Sequence, residues 1–434
     1  MGINLTNIKS FLLDNKTFKQ TILKNTFWLL SSEVLCKFLM LLLTILIIRH
    51  LGPNEYGVFS FVFAFVALFA ILVDFGLSIL IVREVAQDTS RAKKYIGNIV
   101  TIKLILGIAT FGLIYFVIQF LGKSAEVRFL IYLVAIHGVI ASFTVFFQSV
   151  FRTFEKMEYE ALTKVIYSIS LFCLAGIVLW QSLGIKVLVF TYIIAVAINL
   201  VLTLIIICKK FTKFHLSIDF SLWKTFLKQG ILIGSGAFFV GIYVSIGITI
   251  LKTMNISYSD IGLYSAAYKI ITIPMFILSA VAASFLPVLS KERDNISRII
   301  IHYHKATLIV AVPSFLVIGI FARSILTTFY GQDFASADEV LRILSVLLIF
   351  VAIRDPFLYA IITKNKQNVY ASVTFFGAVF SVACNFFLIK DFGITGAAIA
   401  MVLTEVLVFV LVLLYVTKIN RALIHEVHRN NASA

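Results

Sequence analysis

Charged side chains are scarce: they make up 13% of the 434 residues, while 61% are hydrophobic. Soluble domains carry about a quarter charged residues and are about half apolar. That deficit excludes a water-soluble globular protein of this length. Cysteine is sparse too. Cys36, Cys173, Cys208 and Cys384 lie singly inside or at the ends of apolar runs. They lack the spacing of a metal site or a disulfide framework and read as packing residues. There is no glycine-rich phosphate loop with its lysine, and no histidine pair at metal spacing. Nothing therefore points to covalent catalysis, and no cofactor is expected beyond a coupling cation, Na+ or H+. A cleavable signal peptide is not expected, because the first apolar stretch, after Asn25, is too long and lacks a small-residue cleavage site. Acidic residues number 21 against 37 lysines and arginines, a formal net charge of +16. On a soluble chain this excess would point to nucleic acid. Here the basic residues gather between apolar runs, as they do in the cytoplasmic loops of membrane proteins.

The apolar residues come in blocks. Many windows of about 20 residues hold one charge or none, the length a helix needs to cross ~30 Å of hydrocarbon. Continuous runs read as helices, since barrel strands would show about 10 residues of alternating polarity. The fold class expected is an all-α polytopic membrane protein with twelve transmembrane helices. The spans predicted are 26–48, 57–82, 95–121, 130–151, 161–180 and 187–208, then 226–251, 262–286, 300–320, 341–363, 370–389 and 395–416. Residues 4–24 place Leu5, Ile8, Phe11, Leu12 and Phe18 among lysines, the pattern either of a surface-lying amphipathic helix or of a frayed tail. With the amino terminus inside, basic residues of the inner loops outnumber those of the outer loops about threefold. Both termini and the Lys209–Lys228 region are then cytoplasmic.

The longest polar connection follows the sixth span and divides the chain into halves that resemble each other. Glu55-Tyr56-Gly57-Val58-Phe59-Ser60 leads the second span, and Asp260-Ile261-Gly262-Leu263-Tyr264-Ser265 leads the eighth, 205 residues later. Leu183-Gly184-Ile185 and Phe392-Gly393-Ile394 match in the same way, 209 residues apart. A duplicated six-helix unit follows. Because six is even, the two repeats are parallel, an arrangement that places a substrate cavity between two lobes near the midplane. The organisation read from this is a cytoplasmic amphipathic segment (1–25), an N-lobe (26–208), a basic linker (209–225), a C-lobe (226–418) and a cytoplasmic tail (419–434).

Ionisable residues at membrane depth are costly and are functional candidates for that reason. Glu33 and Lys37 stand one turn apart in the first span, as a polar seam lining the cavity or as a self-neutralising ion pair. Asp74 lies in the second span with Ser78 one turn on. Lys103 lies in the third, near enough to the cytoplasmic end either to snorkel or to line the cavity. In the second half Tyr264, Tyr268 and Thr272 form one stripe with Lys269 beside it, and Pro274 follows. Arg354-Asp355-Pro356 interrupts the tenth span. Successive residues on a helix point about 100° apart, so Arg354 and Asp355 need not pair. Glu405 is the acid well inside the twelfth. His137, Gln148 and Asn385 read as interhelical glue. The cations Lys37, Lys103, Lys269 and Arg354 suit an anionic group such as a pyrophosphate, and Tyr264 and Tyr268 suit sugar faces. The acids Glu33, Asp74, Asp355 and Glu405 are the candidates for ion coupling, with Glu33 and Asp74 favoured.

The stretch Arg49-His50-Leu51-Gly52-Pro53-Asn54-Glu55-Tyr56-Gly57-Val58-Phe59-Ser60, continued by Asp74-Phe75-Gly76-Leu77-Ser78 and Arg83-Glu84-Val85-Ala86, resembles the polysaccharide transporter family. That family includes the O-antigen and capsular repeat-unit flippases. It shares the MOP superfamily with multidrug and toxin extruders (MATE) and peptidoglycan-precursor flippases. The resemblance implies a V-shaped two-lobe transporter, not an enzyme, working by alternating access in a bacterial inner membrane. Its implied substrate is an undecaprenyl-pyrophosphate-linked oligosaccharide, carried from the cytoplasmic to the periplasmic leaflet. A polysaccharide polymerase and a chain-length regulator are the protein partners to expect. The alternative is a cation-coupled drug antiporter of the same fold, against which Lys37 argues. A non-transporting scaffold would have no reason to bear the cost of the buried charges.

Overall fold

The computed structural model describes residues 18–291, 296–364 and 366–432. Its helices are α1 (Phe18–Ala70), α2 (Leu77–Gln87), α3 (Ala92–Phe120), α4 (Ala125–Thr153), α5 (Met157–Trp180) and α6 (Gly184–Lys210). They continue with α7 (Phe220–Thr253), α8 (Tyr258–Lys291), α9 (Ile296–Tyr330), α10 (Asp338–Ser345), α11 (Leu347–Thr363) and α12 (Gln367–Ala432). The predicted surface helix falls largely outside the described residues.

Among the described residues, ten segments are long and apolar enough to cross a membrane, and two of them run to 64 and 52 residues. At about 1.5 Å per residue the longer would reach ~96 Å if straight, about three times the hydrocarbon thickness. Each of the two is a pair of crossings joined where the backbone leaves the helical region, at Gly52 (φ 65°) and at Gly393 (φ 54°). Glycine adopts positive φ without the clash a Cβ would make. Pro53 then opens the second crossing at a position where its missing N–H is harmless. Counting each of these two segments twice, the described residues make twelve crossings, the number expected.

The chain forms two compact units. Unit 1 holds the described residues up to Leu51 together with Phe69–Gly234, and unit 2 holds Gly52–Leu68 with the chain from Ser235 onward. Unit 1 packs Leu77, Leu80 and Ile81 of α2 against Ile96 and Ile99 of α3 and Phe143, Phe146 and Phe147 of α4. The opposite faces are as apolar as the core: Ile108, Phe116 and Phe120 are exposed from the protein. That is what a lipid-facing surface requires. Hydroxyls inside the helices turn back on their own backbone, as Thr44 does to the Met40 carbonyl at 2.7 Å and Thr404 to that of Ala400 at 2.7 Å. Neither of these two hydroxyl hydrogens is then left facing hydrocarbon.

The basic segment between α6 and α7 lies on unit 1. Asn98 of α3 donates to Ser217 Oγ at 2.9 Å, and its Oδ1 accepts from the Asp219 N–H at 2.8 Å and from Trp223 Nε1 at 3.0 Å. Lys94 pairs with Asp219 at 2.9 Å, and Asp219 in turn accepts the Leu222 N–H in the first turn of α7.

Candidate functional site

In unit 1 the second crossing is interrupted. A 3-10 turn at Ile71–Val73 is followed by Phe75 (φ 44°) and Gly76 (φ 76°), and the helix restarts at Leu77. Asp74 sits at this break. Its carboxylate accepts from Ser78 Oγ at 2.5 Å and from Lys103 Nζ at 2.6 Å. Lys103 also donates to Ser142 at 2.8 Å and lies near the rings of Phe143 and Phe146. The sequence leaves snorkelling and cavity lining open for Lys103. The structure shows neither: the side chain is fully buried, because Asp74 and Ser142 satisfy its ammonium inside the packed core.

A second cluster of unit 1 is built on α1, α4 and α5. Glu160 is fully buried and takes a two-point hydrogen bond from Arg152, at 2.7 and 2.6 Å. Lys164, one turn on, reaches Glu160 at 2.9 Å and Glu33 at 3.8 Å. Glu33 lies 3.9 Å from Lys37, and both are well exposed from the protein surface. Lys37 is therefore joined to a network of three cations and two acids, wider than the pair within α1. Buried Lys24 lies 3.1 Å from Glu158 nearby.

Unit 2 holds the third cluster. Arg354 of α11 donates to Asp355 at 2.8 and 3.1 Å and to Glu405 of α12, with all three side chains largely buried. The 100° offset between neighbours does not keep Arg354 and Asp355 apart, because the guanidinium is long enough to fold back. The Tyr243 ring of α7 stands beside this trio. Tyr264 is buried against Met401, its hydroxyl 4.0 Å from the sulfur. Tyr268 is half-buried and Lys269 exposed. The structure thus gathers the predicted residues into separate groups: Asp74 with Lys103, Glu33 with Lys37, and Arg354 with Asp355 and Glu405.

Sequence alone does not single out Lys164, Glu160, Tyr243 or Arg152. Glu160 and Lys164 carry a legible signal, an i,i+4 ion pair at the entrance to an apolar run. Tyr243 carries none, since an aromatic residue in an apolar helix is ordinary.

Residues 22–293 match the family described as "Polysaccharide biosynthesis protein". The chain belongs to that family. This family member is 22% identical over 365 residues to a probable low-salt glycan biosynthesis flippase, Agl15, of Haloferax volcanii, across 82% of its own length and 75% of the relative's. Its fold is similar to that of the lipid II flippase MurJ in an inward closed conformation, with a TM-score of 0.74, 15% identity, and coverage of 91% of this chain and 87% of the other. It is also similar to that of an inward-facing multidrug resistance MATE transporter of the MOP superfamily, with a TM-score of 0.72, 17% identity, and coverage of 89% of this chain and 95% of the other. The expected fold class is therefore the observed one.

Proposed function

We propose that this protein is a flippase that carries an undecaprenyl-pyrophosphate-linked oligosaccharide from the cytoplasmic to the outer leaflet by alternating access, for O-antigen or other surface polysaccharide assembly. The observation that carries the reading is membership of a polysaccharide biosynthesis family by a chain built of membrane-crossing helices. Sugar chains assembled on a lipid at one membrane face need such a route to the other. The similarity to a glycan biosynthesis flippase over 82% of the chain points the same way.

The exposed cations of unit 1 suit the anionic linkage of such a substrate. Arg152 and Lys164 hold buried Glu160, and Lys164 and Lys37 both flank Glu33. With one more cation than acid, the network attracts a diphosphate, and lysine presents a compact charge to it. Lys269 and Tyr268 play the corresponding part in unit 2, and the acids Glu33, Asp74, Asp355 and Glu405 remain the carboxylates available for coupling. Both termini face the cytoplasm, and a polysaccharide polymerase and a chain-length regulator act on the delivered substrate.

The test is a host lacking its own copy of this protein. Lipid-linked oligosaccharide should accumulate on the cytoplasmic side and surface glycan should disappear, and the wild-type chain should restore both. Restored surface glycan should fail with Lys37→Ala or Lys164→Ala while the protein remains inserted, and return in part with Lys37→Arg. Unchanged surface glycan in the deletion host, with altered resistance to cationic drugs, would make the antiporter the better account.

A further inference from the structure

In unit 1 a groove runs between the end of the first crossing of α1 and the last turn of α5. Leu46, Arg49 and His50 line it from α1, and Gly176, Leu179 and Trp180 from α5. It holds about 390 Å³. At ~30 Å³ for each water, that is room for roughly a dozen, far more than a single ion needs. Gly176 keeps the groove open, since nothing lies within 4 Å of the place its Cβ would take.

The groove lies at headgroup depth. Both helices leave their apolar runs here, and Trp180 is 85% exposed, the residue type that settles at the boundary between hydrocarbon and water. From Leu46 to His50 the helix rises only ~6 Å, against ~15 Å of hydrocarbon in one leaflet. The walls therefore reach the headgroup and the upper part of a chain, and no deeper.

The basic residues of this groove are unspent. Arg49 and His50 are exposed, and among the described residues neither has an ion-pair or hydrogen-bond partner. Elsewhere at this end of unit 1, Lys186 pairs with Glu126 at 2.8 Å and Arg128 donates to Gln119 at 2.8 Å. Nor does Arg49 serve to cap α5. The Ile177, Val178 and Leu179 carbonyls accept the N–H groups of Gln181, Leu183 and Ser182 at 3.0, 3.1 and 3.1 Å.

The donors select the occupant. A guanidinium takes a phosphate by two parallel bonds. One fixed positive charge, with a histidine that can donate while neutral, matches the single negative charge of a phosphodiester. A lipid diphosphate brings more charge than one guanidinium balances. No carboxylate lines the groove to receive the ammonium of a zwitterionic headgroup.

We propose that the α1–α5 groove is a binding site for an anionic glycerophospholipid. Arg49 takes its phosphodiester by two bonds, His50 adds a third, and the upper acyl chain lies on Leu46 and Leu179 beside Trp180. Basic pockets between membrane helices bind anionic headgroups in this way.

The test is native mass spectrometry of the purified full chain, with phosphatidylglycerol or phosphatidylcholine of the same acyl chains added to the detergent. Wild type should prefer phosphatidylglycerol by about tenfold. Arg49→Gln should reduce that preference to near parity. Gly176→Phe, which fills the groove and leaves Arg49 in place, should do the same. Gly112→Phe, at a glycine of α3 with equally open space, and Lys186→Gln should both keep it. If Arg49→Gln does not fold, Gly176→Phe decides. Phosphatidylglycerol with a photoactivatable group high on its acyl chain should crosslink wild type within 46–50 or 176–180. Preference unchanged in Gly176→Phe, equal loss in Lys186→Gln, or crosslinks confined to other segments would overturn the proposal. Displacement of the bound phosphatidylglycerol by far less undecaprenyl diphosphate would overturn it too, giving the groove to a diphosphate lipid. No transport step enters this measurement, so its failure and that of the flippase reading are separate results.

Discussion

Gly57 and Gly262, which hold matching places in the two sequence repeats, lie backbone against backbone in unit 2. A Cβ on Gly57 would fall 1.7 Å from the Tyr258 carbonyl oxygen, and one on Gly262 would fall 1.9 Å from that of Pro53. The repeat motif is therefore kept short at its centre by a helix crossing that admits no side chain, the packing that small residues allow in membranes. Alanine at either position must push the two helices apart, at a cost of about 1–3 kcal/mol, and leucine at more. Thermal unfolding of the purified protein in detergent should show both losses. Gly112→Ala is the control, because nothing lies within 4 Å of its Cβ position; its melting temperature should hold or rise.

Lys103 and Asp74 should behave as a buried pair. Lys103→Met leaves the Asp74 carboxylate at a helix break with only Ser78 to satisfy it, and removing one partner of a buried pair costs about 3–5 kcal/mol. The double variant Asp74→Asn, Lys103→Met should recover most of that. A double-mutant cycle on thermal stability measures the coupling. Additive losses would mean that the pair contributes nothing as a pair.

Docking of the segment before α7 should depend on pH with a definite sign. The Lys94 ammonium, and after it the Leu222 N–H, hold the Asp219 carboxyl below the usual carboxylate range. The contribution of Asp219 is therefore complete above its unfolded value of about 3.9, and it is lost only as the pH falls through the lower folded value. Hydrogen exchange across residues 211–219, taken relative to the intrinsic rate at each pH, should stay slow from about pH 8 to about pH 5 and quicken only below the carboxylate range. Asp219→Asn and Asn98→Ala should both quicken it at neutral pH.

The crossings and the duplication were legible because they are written in long, local patterns. Apolar runs set the number of spans, and two glycine-centred matches, 205 and 209 residues apart, suggest the halves. Partner choice was not legible. Lys103 lies 29 residues from Asp74, and Arg354 lies 51 from Glu405. Membrane helices apolar on every side give no stripe to say which faces meet. Pro356 announced a break, but Thr307, which donates to the Ala352 carbonyl that Pro356 leaves open, sits 45 residues before it. Polarity marked residues 209–225 as a separator, and only the contacts of Asn98 show where that segment rests. Lys164 escaped notice because it stands at a span entrance, where a lysine ordinarily reads as an interface residue.

The orientation can be read with single cysteines. Residue 213 lies in the basic segment on unit 1, residue 124 in the connection between α3 and α4, and residue 254 in that between α7 and α8. A membrane-impermeant thiol reagent added outside should label cysteine at 124 or 254 and spare 213. Strong outside labelling at 213 would reverse the topology.

The most direct measurement of the central claim is translocation by the purified chain in proteoliposomes. Undecaprenyl-diphosphate-linked oligosaccharide in the inner leaflet should become accessible to an externally added glycosidase faster with the protein than in empty liposomes. Lys37→Ala and Lys164→Ala should slow it by about tenfold or more, the factor that ~1.4 kcal/mol of lost interaction represents. Oligosaccharide that stays inaccessible in wild-type proteoliposomes at the rate of empty ones, with the protein folded and a driving ion gradient in place, would contradict the account.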